Sequence, residues 1–77
     1  MFHELDAVVL RRDNIPHGLQ AGDIGAVVHC YLDQQTYEVE FVTADGSTIA
    51  VATLGDDDIR SMNENEILHV RAVRTVA

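Results

Sequence analysis

Residues 37–54 carry the clearest hydrophobic pattern in the chain. Three apolar residues alternate with two glutamates over residues 37–41, which is the period of a β-strand with one buried face. The pair Asp45-Gly46 follows and predicts a two-residue type I′ turn, because that turn needs positive φ at both central positions. Residues 47–54, rich in β-branched side chains, complete the predicted β-hairpin.

Three further apolar runs predict strands at residues 7–10, 24–32 and 67–73. Residues 11–23 contain the single proline and two glycines and predict a long first loop. The acidic stretch at residues 55–60 predicts a 3₁₀ or short helical turn before the last strand. The pattern therefore predicts an all-β fold, a small five-stranded SH3-like barrel formed by one domain over residues 1–77. An OB-type barrel is disfavoured because the chain has no room for a longer helix between strands.

Counting outward from the predicted turn pairs Ala44 with Ser47 and sets the register of the hairpin. Three cross-strand pairs then face the core, with two bulky residues opposite alanines as a narrow interior requires. The predicted inward pairs are Phe41 with Ala50, Val39 with Ala52, and Tyr37 with Leu54.

The position of His29 indicates which side of the second strand is buried. One set of alternate residues is wholly apolar and is expected inside, whereas the other set contains the histidine. The predicted inner set is Ala26, Val28, Cys30 and Leu32, with Val28 opposite Phe41 and Cys30 opposite Val39.

This register places an unusual number of apolar residues on the outer side of strands two to four. The predicted rows are Val27 with Val42 and Ile49, then His29 with Glu40 and Val51, then Tyr31 with Glu38 and Thr53. Contiguous exposed apolar surface often marks an interaction site; the alternative is that a terminal segment or the first loop covers it. The residues predicted to bind a partner are Val27, His29, Tyr31, Glu40, Val42, Ile49 and Val51.

Composition narrows the class of partner. The chain has 13 acidic residues against 5 arginines and no lysine, for a formal charge of −8. Nucleic-acid binding is disfavoured because it depends on clustered cations, although the arginines at 11, 12, 60, 71 and 74 could gather on one side. A basic protein partner or a second copy of the chain is expected instead.

The start of the chain does not resemble a signal peptide and no run reaches about 18 apolar residues, so a cytoplasmic protein with no membrane association is expected.

The sequence predicts no cofactor, metal site or enzymatic activity. The four histidines share no metal-ligand spacing with one another. Consecutive acidic residues at 56–58 are expected to form a solvated turn, because they lack the spacing of a calcium loop; the sequence leaves open whether they hold a cation. Cys30 is expected to be buried and inert, since a reactive thiol needs exposure and a cationic neighbour.

Several segments together resemble a family of small bacterial proteins, notably cyanobacterial, that is catalogued as a domain of unknown function. They are residues 5–10 (LDAVVL), 15–28 (IPHGLQAGDIGAVV), 37–41 (YEVEF), 44–46 (ADG) and 53–54 (TL). The resemblance implies an SH3-like fold and no established activity. Relatives that neighbour toxin-like genes make an antitoxin or immunity role conceivable. The piece LQAGDIGAVV is also similar to the turn of ribosomal KOW motifs, which are SH3-like.

These observations favour a small acidic protein-interaction module that binds a protein partner or itself through the outer face of strands two to four. The alternative is an antitoxin-like or immunity-like inhibitor of a basic toxin or nuclease, since the charge of −8 would speed association with such a protein. KOW-like binding of nucleic acid is the third and least favoured hypothesis.

Overall fold

The computed structural model describes residues 1–73, which form one antiparallel sheet of five strands in the order β4-β3-β2-β1-β5. All-β architecture is therefore confirmed. The strands are β1 (Ala7–Leu10), β2 (Ile24–Cys30), β3 (Thr36–Val42), β4 (Thr48–Gly55) and β5 (Ile59–Ser61), with 3₁₀ turns at Ile15–His17 and Asp56–Asp58. Within these 73 residues, no helix is both long enough and apolar enough to cross a membrane.

The hairpin of β3 and β4 pairs in the predicted register over most of its length. Phe41 lies opposite Ala50, and Val39 lies opposite Ala52. Tyr37 lies opposite Leu54, so all three predicted inward pairs are confirmed. The small alanines leave room for the bulky residues of β3, which are almost wholly buried. The core contains Val8, Leu10, Leu19, Val27, Tyr37, Val39, Phe41, Ala52, Leu54 and Ile59.

The turn of this hairpin differs from the predicted type I′ turn. Only Gly46 has a positive φ, of 87°. Its N–H donates to the Thr43 carbonyl at 2.9 Å, and the Thr43 N–H donates to the Ser47 carbonyl at 2.9 Å. This is the three-residue arrangement in which an ordinary turn is followed by a left-handed glycine. The predicted pairing of Ala44 with Ser47 is therefore wrong. The extra residue shifts the register, so that Val42 lies opposite Thr48.

The predicted inner set of β2 is wrong except for Cys30, which packs against the core. Val27 is fully buried, whereas Val28 is 39% exposed and Leu32 is completely exposed. The pairing shifts between Val27 and His29, with Val27 opposite Val39 and Cys30 opposite Tyr37. A bulge changes which face the following residues occupy, and this lets Val27 and Cys30 both pack against the core although they are three positions apart.

The last strand lies earlier in the chain than predicted. A short turn before it is confirmed at Asp56–Asp58, but β5 follows at once, where Leu10 pairs with Ile59. The side chain of Asp58 accepts a hydrogen bond from the Gly55 N–H at 3.0 Å and turns the chain towards β1. Ile59 is fully buried there. The strand predicted at residues 67–73 is wrong for the described structure, in which those residues form no regular element.

Candidate interaction surface

The outer face of β2, β3 and β4 is the surface on which the sequence places a partner site, and the observed register changes its members. Val27 does not belong to it, because its side chain is buried in the core. Ile49 is half-buried and packs against the core at the register shift. The outward row predicted from Val27, Val42 and Ile49 is therefore wrong.

Two rows of cross-strand neighbours replace the predicted ones. In the first, Glu40 lies between Ala26 and Val51. In the second, Glu38 lies between His29 and Thr53. The pairing of Glu40 with Val51 is confirmed. The pairing of His29 with Glu40 is wrong, because Glu40 lies opposite Ala26 and His29 lies opposite Glu38. The two glutamates lie side by side along one face of β3.

Several predicted site residues are accessible on or beside this surface. Val42 is 49% exposed and Val51 is 47% exposed. His29 is exposed, and Tyr31 stands beside it with its ring edge-to-face at a centroid distance of 4.8 Å. Apolar and polar groups thus alternate here instead of forming the continuous apolar patch that the sequence suggests. A role in binding remains a prediction for all of them.

Glu38 is held by two hydroxyl groups from neighbouring strands. Its Oε2 accepts a hydrogen bond of 2.6 Å from the Thr53 hydroxyl and one of 2.7 Å from the Tyr31 hydroxyl. Both bonds favour the ionised form, and together with the nearby His29 they outweigh burial, so the pKa of Glu38 is lowered. The same contact raises the pKa of Tyr31, since its hydroxyl would lose the bond on ionisation. The carboxylate is therefore both charged and fixed in orientation.

Glu40 is oriented in a similar way. Its Oε2 accepts a hydrogen bond of 2.7 Å from the Thr48 hydroxyl on β4. Threonines of β4 therefore hold both glutamates of β3 through neutral donors. Glu38, Thr48 and Thr53 are functional candidates missing from the sequence-based set. The predicted row of Tyr31, Glu38 and Thr53 already placed both hydroxyl donors of Glu38 on this face, and the pairing of Glu38 with Thr53 is confirmed. The hydrogen bond from Thr48 to Glu40 was not predicted.

Neither glutamate forms an ion pair with an arginine within the described residues. Arg12 pairs with Asp58 at 3.3 Å, Arg60 with Glu66 at 2.7 Å, and Arg71 with Asp23 at 2.6 Å. Arg74 lies outside the described residues. The outer face therefore presents two carboxylates whose charge no arginine described in residues 1–73 neutralises.

The acidic turn at Asp56–Asp58 satisfies much of its own bonding capacity. Asp58 accepts the Gly55 N–H and contacts Arg12, which also donates to the Asp57 carbonyl at 3.2 Å. Across residues 1–73, no three histidine, cysteine, aspartate or glutamate side chains gather into a group that could hold a metal ion.

A groove of about 320 Å³ lies at the turn end of the β3–β4 hairpin. Phe41, Val42 and Ile49 line one wall. Val70 and Arg71 line the opposite wall, because the chain after β5 passes over this end of the sheet. The groove thus separates the hairpin from the C-terminal part of the chain.

Comparison with known proteins identifies a family. Residues 4–61 match the model of a domain of unknown function (DUF4926), and the chain belongs to that family. The match covers all five strands and ends with β5. No curated protein and no solved structure matches the chain significantly. Family membership, which the sequence motifs predicted, is therefore confirmed, and it brings no assigned activity.

Proposed function

We propose that this member of the DUF4926 family is a protein-interaction module and not an enzyme. Its outer face of β2–β4 binds a protein partner that presents arginine or lysine side chains beside apolar ones. The observation that carries this proposal is the pair Glu38 and Glu40, oriented by hydroxyl groups and facing outward without an arginine partner in the described residues.

The orientation of these carboxylates favours binding of a cation from another protein. Hydrogen bonds in which the donor or the acceptor is charged are roughly twice as strong as neutral ones, and arginine can form two in parallel with one carboxylate. Each glutamate uses Oε2 for its hydroxyl partners, and no hydrogen bond to Oε1 is found within residues 1–73. Exposed Val42 and Val51 add apolar contact next to the charges, which is the mixed chemistry of protein interfaces.

Charge argues against a symmetric homodimer formed by this face alone. A two-fold interface brings the same patch of each copy together. Glu38 and Glu40 of one copy would then approach those of the other, and like charges opposed across an interface cost several kcal/mol. A partner of different sequence and positive charge therefore fits this face better.

An antitoxin-like or immunity-like inhibitor of a basic toxin or nuclease is the alternative function. The net charge of −8 supports it, because complementary charge raises the association rate. Binding of nucleic acid is disfavoured further, since three of the four described arginines already pair with carboxylates.

We also infer that the sheet curls into an SH3-like barrel. Five short strands in the order β4-β3-β2-β1-β5, a long first loop and a 3₁₀ turn before β5 support this inference. In such a barrel the core residues lie inside, and the outer face of β2–β4 lies on the convex surface.

Affinity purification from the native host, followed by mass spectrometry, tests the proposal. The wild-type bait is compared with the double variant Glu38→Gln/Glu40→Gln and with the matched control Glu4→Gln/Asp57→Asn. The control removes the same two charges from exposed positions outside the outer face. A basic protein retained by wild type and control but lost from the face variant is the expected result.

Binding by the purified partner should then weaken as salt concentration rises, because exposed charges are screened. Val42→Asp should also reduce binding while leaving the fold intact, since Val42 is half exposed. Equal retention of every captured protein by the face variant and the control would contradict the proposal. A captured protein that is toxic when expressed alone would favour the inhibitor alternative.

A further inference from the structure

The C-terminal segment, residues 67–73, has the sequence of a strand but is not part of the sheet. Its sequence ILHVRAV is mostly apolar and β-branched. Ile67 is 92% exposed and Val70 is 89% exposed, and Leu68 is exposed as well. A surface segment that leaves three large aliphatic side chains in water has apolar area available for burial against another chain.

The main chain of this segment is also unpaired. Within residues 1–73, no N–H or C=O group of residues 67–73 takes part in a main-chain to main-chain hydrogen bond. Within residues 1–73, its hydrogen bonds to the rest of the domain come from the Arg71 side chain, which donates to Asp23 and to the Gly18 carbonyl. The segment therefore has both the side chains and the free main-chain groups that strand addition requires.

Strand β4 offers a matching edge. It is eight residues long, stands at one edge of the sheet, and in the described structure pairs only with β3. Its sequence TIAVATLG contains no charged residue and no proline. Natural edge strands normally carry lysine, proline or another feature that prevents pairing with a second chain. β4 has neither lysine nor proline, and beyond the register shift at its start its regular part from Ala50 to Gly55 indicates an edge that pairs.

We propose that the C-terminal segment of one copy adds as a strand to β4 of a second copy. The seven residues of the segment span about 23 Å when extended, close to the length of β4. Reciprocal addition places two such contacts around a two-fold axis and closes a dimer.

Charge supports a second copy as the occupant. All 13 acidic residues of the chain precede residue 67. Residues 67–77 contain His69, Arg71 and Arg74 and no acidic residue. The segment therefore brings no negative charge to an edge that lies next to Glu38 and Glu40. Strand addition uses main-chain groups in the plane of the sheet, so it leaves the outer face open and goes beyond the function proposed above.

Size-exclusion chromatography with light scattering on the purified full-length chain tests the proposal. Wild type is expected at twice the 8.5 kDa mass of one chain. Val70→Pro removes one main-chain donor from the segment, and Val51→Lys places a charge on the edge strand. Each of these two substitutions should raise the Kd of the dimer at least about tenfold, which corresponds to a loss of about 1.4 kcal/mol of association free energy. Leu32→Lys, a matched change at a fully exposed loop position, should leave the dimer unchanged.

Mixing the two variants separates strand addition from unfolding. A Val70→Pro chain keeps an intact β4 edge, and a Val51→Lys chain keeps an intact segment. An equimolar mixture should therefore form a dimer with one of the two contacts restored, although each variant alone is largely monomeric. Hydrogen exchange should show protected amides at residues 67–73 only in dimers.

A monomeric wild type at every concentration tested would overturn the proposal. So would a dimer that both variants leave intact, or a mixture that fails to associate when circular dichroism shows both variants folded. Protection of the amides of residues 67–73 from hydrogen exchange at every protein concentration would show that the segment pairs within its own chain. That result would also overturn the proposal.

Discussion

Arg71 and Asp23 join the C-terminal segment to the rest of the domain across 48 positions of sequence. The guanidinium donates two hydrogen bonds to the carboxylate, of 2.8 Å from Nε and 2.6 Å from Nη2. Nη2 also donates to the Gly18 carbonyl at 3.2 Å. Burial raises the pKa of Asp23, but the bonds from Arg71 and from the Gln20 N–H outweigh it, so the pKa lies below its usual value. A two-pronged ion pair thus anchors a segment that lies outside the matched family domain.

Replacing Arg71 with glutamine should release the C-terminal segment while leaving the sheet folded. The pair is partly solvated, so the free energy of unfolding should fall by only about 1 kcal/mol. Limited proteolysis within residues 67–73 of the monomer should become faster, whereas β1–β5 should stay resistant. Asp23→Asn should act in the same direction. Unchanged cleavage of the segment in both variants would contradict an anchoring role.

Val27 and Val28 provide a test of the β2 register with two adjacent, identical side chains. Val27 is fully buried and Val28 is 39% exposed. Val27→Ala should lower the free energy of unfolding by about 2 kcal/mol, because it leaves a cavity in the core. Val28→Ala should lower it by less than about 1 kcal/mol. Chemical denaturation of both variants measures the difference, and a larger effect at Val28 would mean that the register is wrong.

Gly25 allows β2 to approach β3 closely. A Cβ at this position would lie 2.7 Å from Val39 Cγ1, 2.9 Å from the Glu40 carbonyl oxygen and 2.9 Å from Phe41 Cε2. Gly25→Ala should therefore lower the free energy of unfolding by about 1–3 kcal/mol, because main chain and core must shift.

Gly55→Ala is the matched control for this substitution. A Cβ at Gly55 would meet its nearest atoms, from Asp58 and Gln35, at 3.7 Å, which is ordinary contact. The thermal unfolding temperature of the Gly55→Ala variant should therefore stay close to that of wild type. Equal losses in the two alanine variants would show that close approach at Gly25 is not the cause.

The protein should lose stability in acid as the carboxylate of Glu66 becomes protonated. Two hydrogen bonds from Arg60 and one from the Asn63 N–H lower its pKa from 4.5 to about 2. The contribution of the carboxylate is therefore complete above pH 4.5 and is lost as the pH falls towards 2. Unfolding curves of wild type and Glu66→Gln should differ most near neutral pH and converge in strong acid. A constant difference at all pH values would contradict this assignment.

The sequence by itself determined the elements whose patterns are local. The alternation at residues 37–41 was enough to show which side chains of β3 face the core, because side chains in a strand alternate between two faces. The pairs of Phe41 with Ala50 and of Val39 with Ala52 were counted from a turn that is one residue too short, and they hold because the register shift between Phe41 and Val42 offsets the extra turn residue. The bounds of β1 and the 3₁₀ turn before the last strand also followed from local signals.

Only the tertiary structure decided the features that depend on distant partners. A bulge after Val27 reverses the faces of β2, and no local pattern of apolar residues distinguishes Val27 from Val28. The three residues of β5 contain a single apolar side chain, so their strand pairing depends on β1. The candidate surface likewise depends in part on residues that are distant in sequence. The sequence predicted its exposed valines and the row of Tyr31, Glu38 and Thr53, whereas the hydrogen bond from Thr48 to Glu40 depends on the register shift at the start of β4.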